Sequence, residues 1–330
     1  MSNLKGLKCW IVHSGNAGDA VQCEGIAETL GLDYETIKVM DNSAIKNFIS
    51  FFKPKINLKK KIYPEIIIAS GHKSIRLVKK ILKINNNIYS IYLKNPGKYI
   101  DLFNFVWAPL HDNLNRNNIF STLTSPNKLT KHIASINSPN FTNKFKKPII
   151  GVLVGGKSKH FNFGIKEAKK LCFSLKKLKE KHSASLIITC SRRTHNEVKK
   201  FIEHYFNNAD TWVWNGKNDN PYINILTNSN YFIITSDSVN MISEAATTGK
   251  PIYIYKLPKK MLRIRDIPRK LIIFFNELEN KNIIRWFDGN LEDWQYKAIN
   301  PTQEIANEIM ISYTNYIKTS EESIKNYEKI

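Results

Sequence analysis

Short β-branched apolar runs alternate with longer segments of helical spacing along nearly the whole chain, the pattern of βα units around parallel sheets. Two sets stand out. In the first, strands are expected at Lys8–His13, Glu65–Ala69, Ile88–Leu93 and Asn104–Trp107, and helices near Ala17–Leu30, Asp41–Phe52 and Ser74–Lys83. In the second, strands at Ile149–Val154, Ser185–Thr189, Thr211–Trp214, Tyr231–Thr235 and Ile252–Tyr255 flank helices near Ile165–Lys181, His195–Phe206 and Val239–Thr247. Ser121 to Lys147 is polar, carries Pro126 and Pro139 and lacks periodicity, so the linker is placed there. The expected division is residues 1–145, 146–300 and a helical segment 301–330. In that segment Ile305, Ile309, Tyr313, Tyr316 and Ile317 recur at helical spacing, which suits packing across a domain.

At 330 residues and 42% hydrophobic, the chain has apolar material for two cores and too much for a disordered polymer. Its apolar runs fall far short of the ~20 residues of a spanning helix. Cys9–Val12 is also too short for a secretory signal. Four scattered cysteines without a C-x-x-C pair suggest neither a zinc site nor a disulfide framework, and hence a reducing, cytoplasmic compartment. The net charge of +22 invites an anionic partner, yet a cut at residue 145 leaves +11 on either side. An AT-rich coding bias toward Lys, Asn and Ile accounts for that excess equally well. Because the charge is diffuse and forms no basic-aromatic module, a nucleic-acid partner is not expected.

Open parallel sheets bind ligands outside the carboxyl ends of their strands, so the residues just after strands carry the functional signal. The first strand runs into His13-Ser14-Gly15-Asn16-Ala17-Gly18-Asp19, followed by Gln22. Gly15 and Gly18 permit a tight turn whose N–H groups suit an anion or a sugar hydroxyl, although neither a dinucleotide fingerprint nor a Walker lysine is present. Asp19 is either a first-turn helix charge or a carboxylate available for chemistry. Later strand ends carry Ser70-Gly71-His72 and His111-Asp112. In the second half, Gly155-Gly156-Lys157-Ser158-Lys159-His160 has the composition of a phosphate-wrapping loop, with a solvated turn as the alternative. Ser191-Arg192-Arg193-Thr194 offers guanidinium groups suited to phosphate, or two solvated arginines. Asn220-Pro221-Tyr222 supplies a rigid turn and an aromatic face. Ser236-Asp237-Ser238 opens a helix bearing Met241, Ser243 and Glu244; Ser238 can cap it, and Glu244 suits ribose or sugar hydroxyls.

One segment differs from the rest. Phe48, Phe51 and Phe52 stand beside Lys53, Lys55, Lys59, Lys60 and Lys61, which fits either peripheral attachment to an anionic leaflet or a core helix with a solvated lysine loop. Lys256 to Lys270 is a second basic stretch.

Together these motifs, in this order over about residues 8 to 255, resemble the mitochondrial fission (elongated-mitochondria) family. Its bacterial members are regarded as glycosyltransferases, some in lipooligosaccharide outer-core assembly, and its plant member acts at the mitochondrial surface. The resemblance implies an α/β fold of two Rossmann-like domains facing a cleft, GT-B-like, with the C-terminal helix packing across. It implies a nucleotide-sugar donor on the second domain, with Gly155, Gly156, Lys157 and Ser158 at the diphosphate and Arg192 and Arg193 adding charge. Ser238 and Glu244 would approach phosphate and ribose. Lys159, His160, Ser191, Thr194, Asn220, Tyr222, Ser236, Asp237, Met241 and Ser243 complete the donor side. Gly15, Gly18, Gln22, Ser70, Gly71, His72, His111 and Asp112 form the acceptor side, and Asp19 is the candidate base. Without a D-x-D pair in the expected context, transfer is expected to need no metal and no cofactor beyond the nucleotide-sugar. The expected acceptor is a lipid-linked or lipooligosaccharide hydroxyl at the cytoplasmic membrane face. A nucleotide-sugar epimerase and a non-catalytic membrane-associated scaffold remain alternatives.

Overall fold

The computed structural model describes residues 4–39, 63–129, 145–206, 210–217, 220–260 and 268–327. The helix expected at Asp41–Phe52 and the Phe48–Lys61 segment lie outside them. Two compact units are formed, residues 1–128 with 300–330, and residues 129–299. The first therefore closes ahead of residue 145 and takes the C-terminal segment with it.

In the first unit, β1 (Lys8–His13), α1 (Ala17–Leu30), β2 (Asp33–Lys38), β3 (Ile66–Ser70), α2 (His72–Ile84), β4 (Tyr89–Leu93), β5 (Phe105–Pro109) and β6 (Ile119–Thr122) follow in sequence. All pairings are parallel, in the order β2-β1-β3-β4-β5-β6. Every residue of β3 and β4 is buried, as in a sheet covered on both faces. The period-two alternation sorts them: Cys9, Ile11, Ile66, Ile68, Tyr89, Ile91 and Trp107 pack toward α1, whereas Val12, Ile67, Ala69, Tyr92 and Val106 pack with Ile75, Val78 and Ile81 of α2.

The second unit repeats the scheme with β7 (Ile149–Val154), α3 (Ile165–His182), β8 (Ser185–Cys190), α4 (Asn196–Tyr205), β9 (Thr211–Val213), α5 (Tyr222–Asn228), β10 (Tyr231–Thr235), α6 (Val239–Ala246), β11 (Ile252–Tyr255), α7 (Arg269–Asn280) and β12 (Ile284–Trp286). Its parallel order is β12-β11-β10-β7-β8-β9. The chain then returns to the first unit. Helix α8 (Pro301–Tyr327) lays Ile305, Ala306, Ile309 and Tyr313 into the core that α1 covers, and the Tyr89 hydroxyl meets Ser312 Oγ at 2.6 Å.

Strands β2, β6 and β12 have no counterpart in the sequence reading. β2, Asp-Tyr-Glu-Thr-Ile-Lys, is an edge strand with no buried residue, so it lacks the apolar signal by which its neighbours are found. β6 and β12 are also edges, four and three residues long.

Candidate functional site

Each sheet has one place where the chain reverses the direction in which it adds strands: between β1 and β3 in the first, between β7 and β10 in the second. Loops leaving such a pair diverge above opposite faces and open a crevice, the usual ligand position of open α/β sheets. Each reversal point here holds an aspartate against a glycine.

In the second unit the loop after β7 is pulled onto the end of β10. Gly155 N donates to Thr235 Oγ1 at 2.7 Å and Gly156 N to Asp237 Oδ2 at 2.9 Å, while Thr235 Oγ1 donates to Asp237 Oδ1 at 2.7 Å. Asp237 also pairs with Arg193 at 3.1 Å; its side chain is fully buried, whereas Arg193 is 46% exposed. The approach is so close that only glycine fits. A Cβ on Gly155 would lie 2.2 Å from Asp237 Oδ1, and one on Gly156 2.2 Å from the Arg193 carbonyl carbon. Thr194 Oγ1 donates to the Gly155 carbonyl, and Lys157 N to the Arg193 carbonyl at 3.2 Å.

This bracket revises the picture of a phosphate-wrapping loop. The N–H groups of Gly155, Gly156 and Lys157 are already engaged within the protein, and Asp237 serves as the clasp. Ser158 Oγ likewise accepts Phe161 N at 3.0 Å and His160 N at 3.3 Å. Lys157, Lys159, Arg192 and Arg193 are exposed and offer side-chain charge to an anion. Ser238 makes no side-chain capping bond; its hydroxyl lies 3.5 Å from the Arg193 guanidinium. Ser236 ties strands together, its Oγ accepting Leu257 N at 3.1 Å. Ser191 Oγ and Thr194 Oγ1 are 3.1 Å apart, and Asn220 Oδ1 accepts Tyr222 N at 3.1 Å. Ser243 is buried and Met241 partly so.

Glu244, in the second turn of α6, is half-buried, and burial pushes its carboxyl up to about 7. The Tyr222 hydroxyl donates to Glu244 Oε2, which offsets part of that rise. Lys250 has no role in the sequence reading, yet its ammonium donates to the carbonyls of Leu226, at 3.1 Å, and Thr227, at the last turn of the helix that begins with Tyr222. Burial lowers the Lys250 pKa to about 8. A carboxyl poised near neutrality and held by a tyrosine is a ready acceptor for ligand hydroxyls.

In the first unit Asp19, in the first turn of α1, accepts from Ser14 Oγ and Asn16 Nδ2, each at 3.2 Å, and is ion-paired with Lys94. Lys94 follows β4 and holds φ at +92°, in the left-handed region that costs a non-glycine residue conformational strain. The sequence offered no signal for it beyond its position after a strand. Gly71 stands opposite with φ +86°; a Cβ there would lie 2.0 Å from Ser14 Oγ and 3.0 Å from Asp19 Oδ2. Burial lowers the His13 pKa, and its Nδ1 accepts Gly15 N at 3.2 Å. Ser70 is buried and donates to the Leu93 carbonyl at 3.1 Å. Gln22 is buried, and among the described residues its Oε1 has no partner. Gly18 lies in the first turn of α1, and His72 is exposed at the start of α2. His111 and Asp112 occupy a short 3-10 turn after β5, with Nε2 and Oδ1 3.8 Å apart.

Two Rossmann-like α/β units, each with polar loops at the carboxyl ends of six parallel strands, define a protein with the GT-B-like fold. Among solved structures, one of Listeria monocytogenes described as a putative UDP-N-acetylglucosamine 2-epimerase aligns with TM-score 0.58 at 11% identity, covering 95% of this chain and 97% of that one. UDP-GlcNAc 2-epimerase from Neisseria meningitidis, solved bound to UDP-GlcNAc, aligns with TM-score 0.52 at 13% identity over 94% and 93%. The chain belongs to the mitochondrial fission ELM1 family, whose model matches residues 17–313. It is 28% identical to an uncharacterized protein of Rickettsia prowazekii (strain Madrid E), over 91% of this chain and 97% of that one. It is 26% identical to the mitochondrial fission protein ELM1 of Arabidopsis thaliana, over 77% of this chain and 66% of that protein.

Proposed function

We propose that the chain is a glycosyltransferase that takes a nucleotide-sugar on its second unit and transfers the sugar to a hydroxyl of a lipid-linked or lipooligosaccharide acceptor. The observation that carries this reading is Glu244, a half-buried carboxyl raised to about 7 and held by Tyr222. Ribose hydroxyls donating to an ionised Glu244 would supply the hydrogen bonds that burial has removed. Arg193, fixed on Asp237, and the exposed Lys157, Lys159 and Arg192 supply positive charge for the diphosphate, so the leaving group departs with its charge compensated without a metal. On the first unit Asp19 is the group to accept the proton of the acceptor hydroxyl as its oxygen bonds to the sugar and the bond to the diphosphate breaks.

The test is a thermal-shift screen of nucleotide-sugars followed by a transfer assay. A ligand of the folded state raises the melting temperature. Glu244→Ala should abolish the shift, and Asp19→Asn should stop transfer while leaving the shift intact. Unchanged transfer by Asp19→Asn would remove Asp19 from the proton-accepting role. A second reading, nucleotide-sugar epimerisation, is favoured by the likeness of the fold to UDP-GlcNAc 2-epimerases. It predicts donor interconversion in the absence of any acceptor.

A further inference from the structure

The outer face of α2 carries a charge pattern that the fold does not require. Lys73, Arg76, Lys79, Lys80 and Lys83 are all exposed, and no acidic residue occurs between His72 and Ile84. Their spacing places them on one stripe, with Ile75, Val78 and Ile81 turned inward to the core. Cations three and four residues apart, such as Arg76 with Lys80 and Lys79 with Lys83, destabilise a helix rather than support it. At the far end Ile84 is 69% exposed. Beside the stripe the half-buried ring of Tyr99 lies beneath two ammonium groups, Lys79 Nζ at 5.9 Å and Lys98 Nζ at 5.5 Å from its centroid. One acid, Asp101, lies in that adjoining turn.

We propose that this face of α2 is a docking surface for a lipid bilayer bearing anionic headgroups. A straight cationic stripe matches a plane of negative charge, and lysine heads on flexible apolar stems suit a diffuse headgroup layer better than a fixed phosphate geometry. An exposed isoleucine and an aromatic ring flanked by ammonium groups are the apolar and interfacial contacts a bilayer takes up. Among the described residues no helix is long and apolar enough to cross a membrane, so the contact is peripheral. The surface stands on the charges of α2 together with Ile84 and Tyr99 and is independent of any activity at Glu244 or Asp19.

The experiment is co-sedimentation of the full chain with vesicles of phosphatidylcholine alone or mixed with phosphatidylserine, without nucleotide-sugar. Binding is expected only to the mixed vesicles and should fall as salt rises. The triple variant Lys79→Glu, Lys80→Glu, Lys83→Glu should weaken binding by well over a hundredfold, at about fivefold or more per charge. The control Lys217→Glu, Lys281→Glu, Lys297→Glu makes the same change of net charge at exposed positions of the second unit and should retain most of the binding. All positions are exposed, and circular dichroism confirms that both variants fold. Equal loss in the two triples would show diffuse charge and overturn the proposal, as would equal binding to neutral vesicles. Binding to an RNA oligonucleotide through the α2 lysines without binding to vesicles would overturn it too.

Discussion

The Tyr222 hydroxyl donates to Glu244 Oε2 and so stabilises the charged form of a carboxyl that burial is driving toward neutrality. Removing the hydroxyl with Tyr222→Phe leaves desolvation unopposed, and the Glu244 pKa should rise above 7. A ligand that needs the ionised carboxylate will then bind worse at pH 7 than at pH 8.5. Calorimetric titration with a nucleotide-sugar at both values should show a larger loss of affinity at the lower pH.

Glu244 also makes stability fall as pH rises. Its folded pKa lies near 7 against an ordinary 4.5, so the folded state holds the proton more tightly through that interval. The penalty is absent below pH 4.5, grows between 4.5 and 7, and is complete above. Glu244→Gln keeps the acceptor for Tyr222 and removes the titration. At pH 8 the variant should be more stable than the parent by about 1–3 kcal/mol. The advantage should shrink toward zero at pH 5, read from urea unfolding at the two values.

Asp237 and Arg193 form an unequal pair. Asp237 is fully buried and additionally accepts Gly156 N and the Thr235 hydroxyl, whereas Arg193 is nearly half exposed. Asp237→Ala should therefore cost about 2–4 kcal/mol, because it orphans buried donors. Arg193→Ala should cost about 1 kcal/mol or less. Chemical denaturation of both variants decides; equal losses would contradict the clasp.

The same clasp makes the glycine pair irreplaceable. Gly155→Ala and Gly156→Ala would push a methyl group to 2.2 Å from Asp237 and from the Arg193 backbone, and each should cost about 1–3 kcal/mol or more through strain. At Gly164 the added Cβ meets nothing nearer than Glu167 Oε2 at 3.5 Å, and φ is an ordinary −123°. Gly164→Ala should cost less than either. Melting temperatures of the three variants rank the effects.

Ile309 of α8 is wholly buried in the core shared with α1 and the first sheet. Ile309→Ala should destabilise the first unit by about 2–5 kcal/mol. Proteolysis under native conditions should then cut within residues 1–128 before residues 145–260.

The alternation of buried strands with amphipathic helices made the two sheets readable, because a strand covered on both faces must be apolar throughout. Edge strands carry no such obligation, which is why the wholly unburied β2 escapes the pattern. The loops after β1, β3, β7, β8 and β10 were legible as places rather than as roles. Asp237 meets Gly156 across 81 residues, and no local spacing reveals that its carboxylate faces inward as a clasp. Lys94 reaches Asp19 across 75 residues, and Lys250 reaches Leu226 across 24. Long-range partners of this kind are fixed by strand order, and strand order is set by pairing that composition does not record.

Because α8 completes the core begun by β1 and α1, the half of the protein that starts first finishes last. On the ribosome, residues 129–299 emerge as a continuous stretch able to close its own sheet, while the opening strands wait for a helix not yet translated. A nascent chain of this topology exposes apolar surface for most of its synthesis. Its demand on chaperones should therefore fall on the N-terminal sheet.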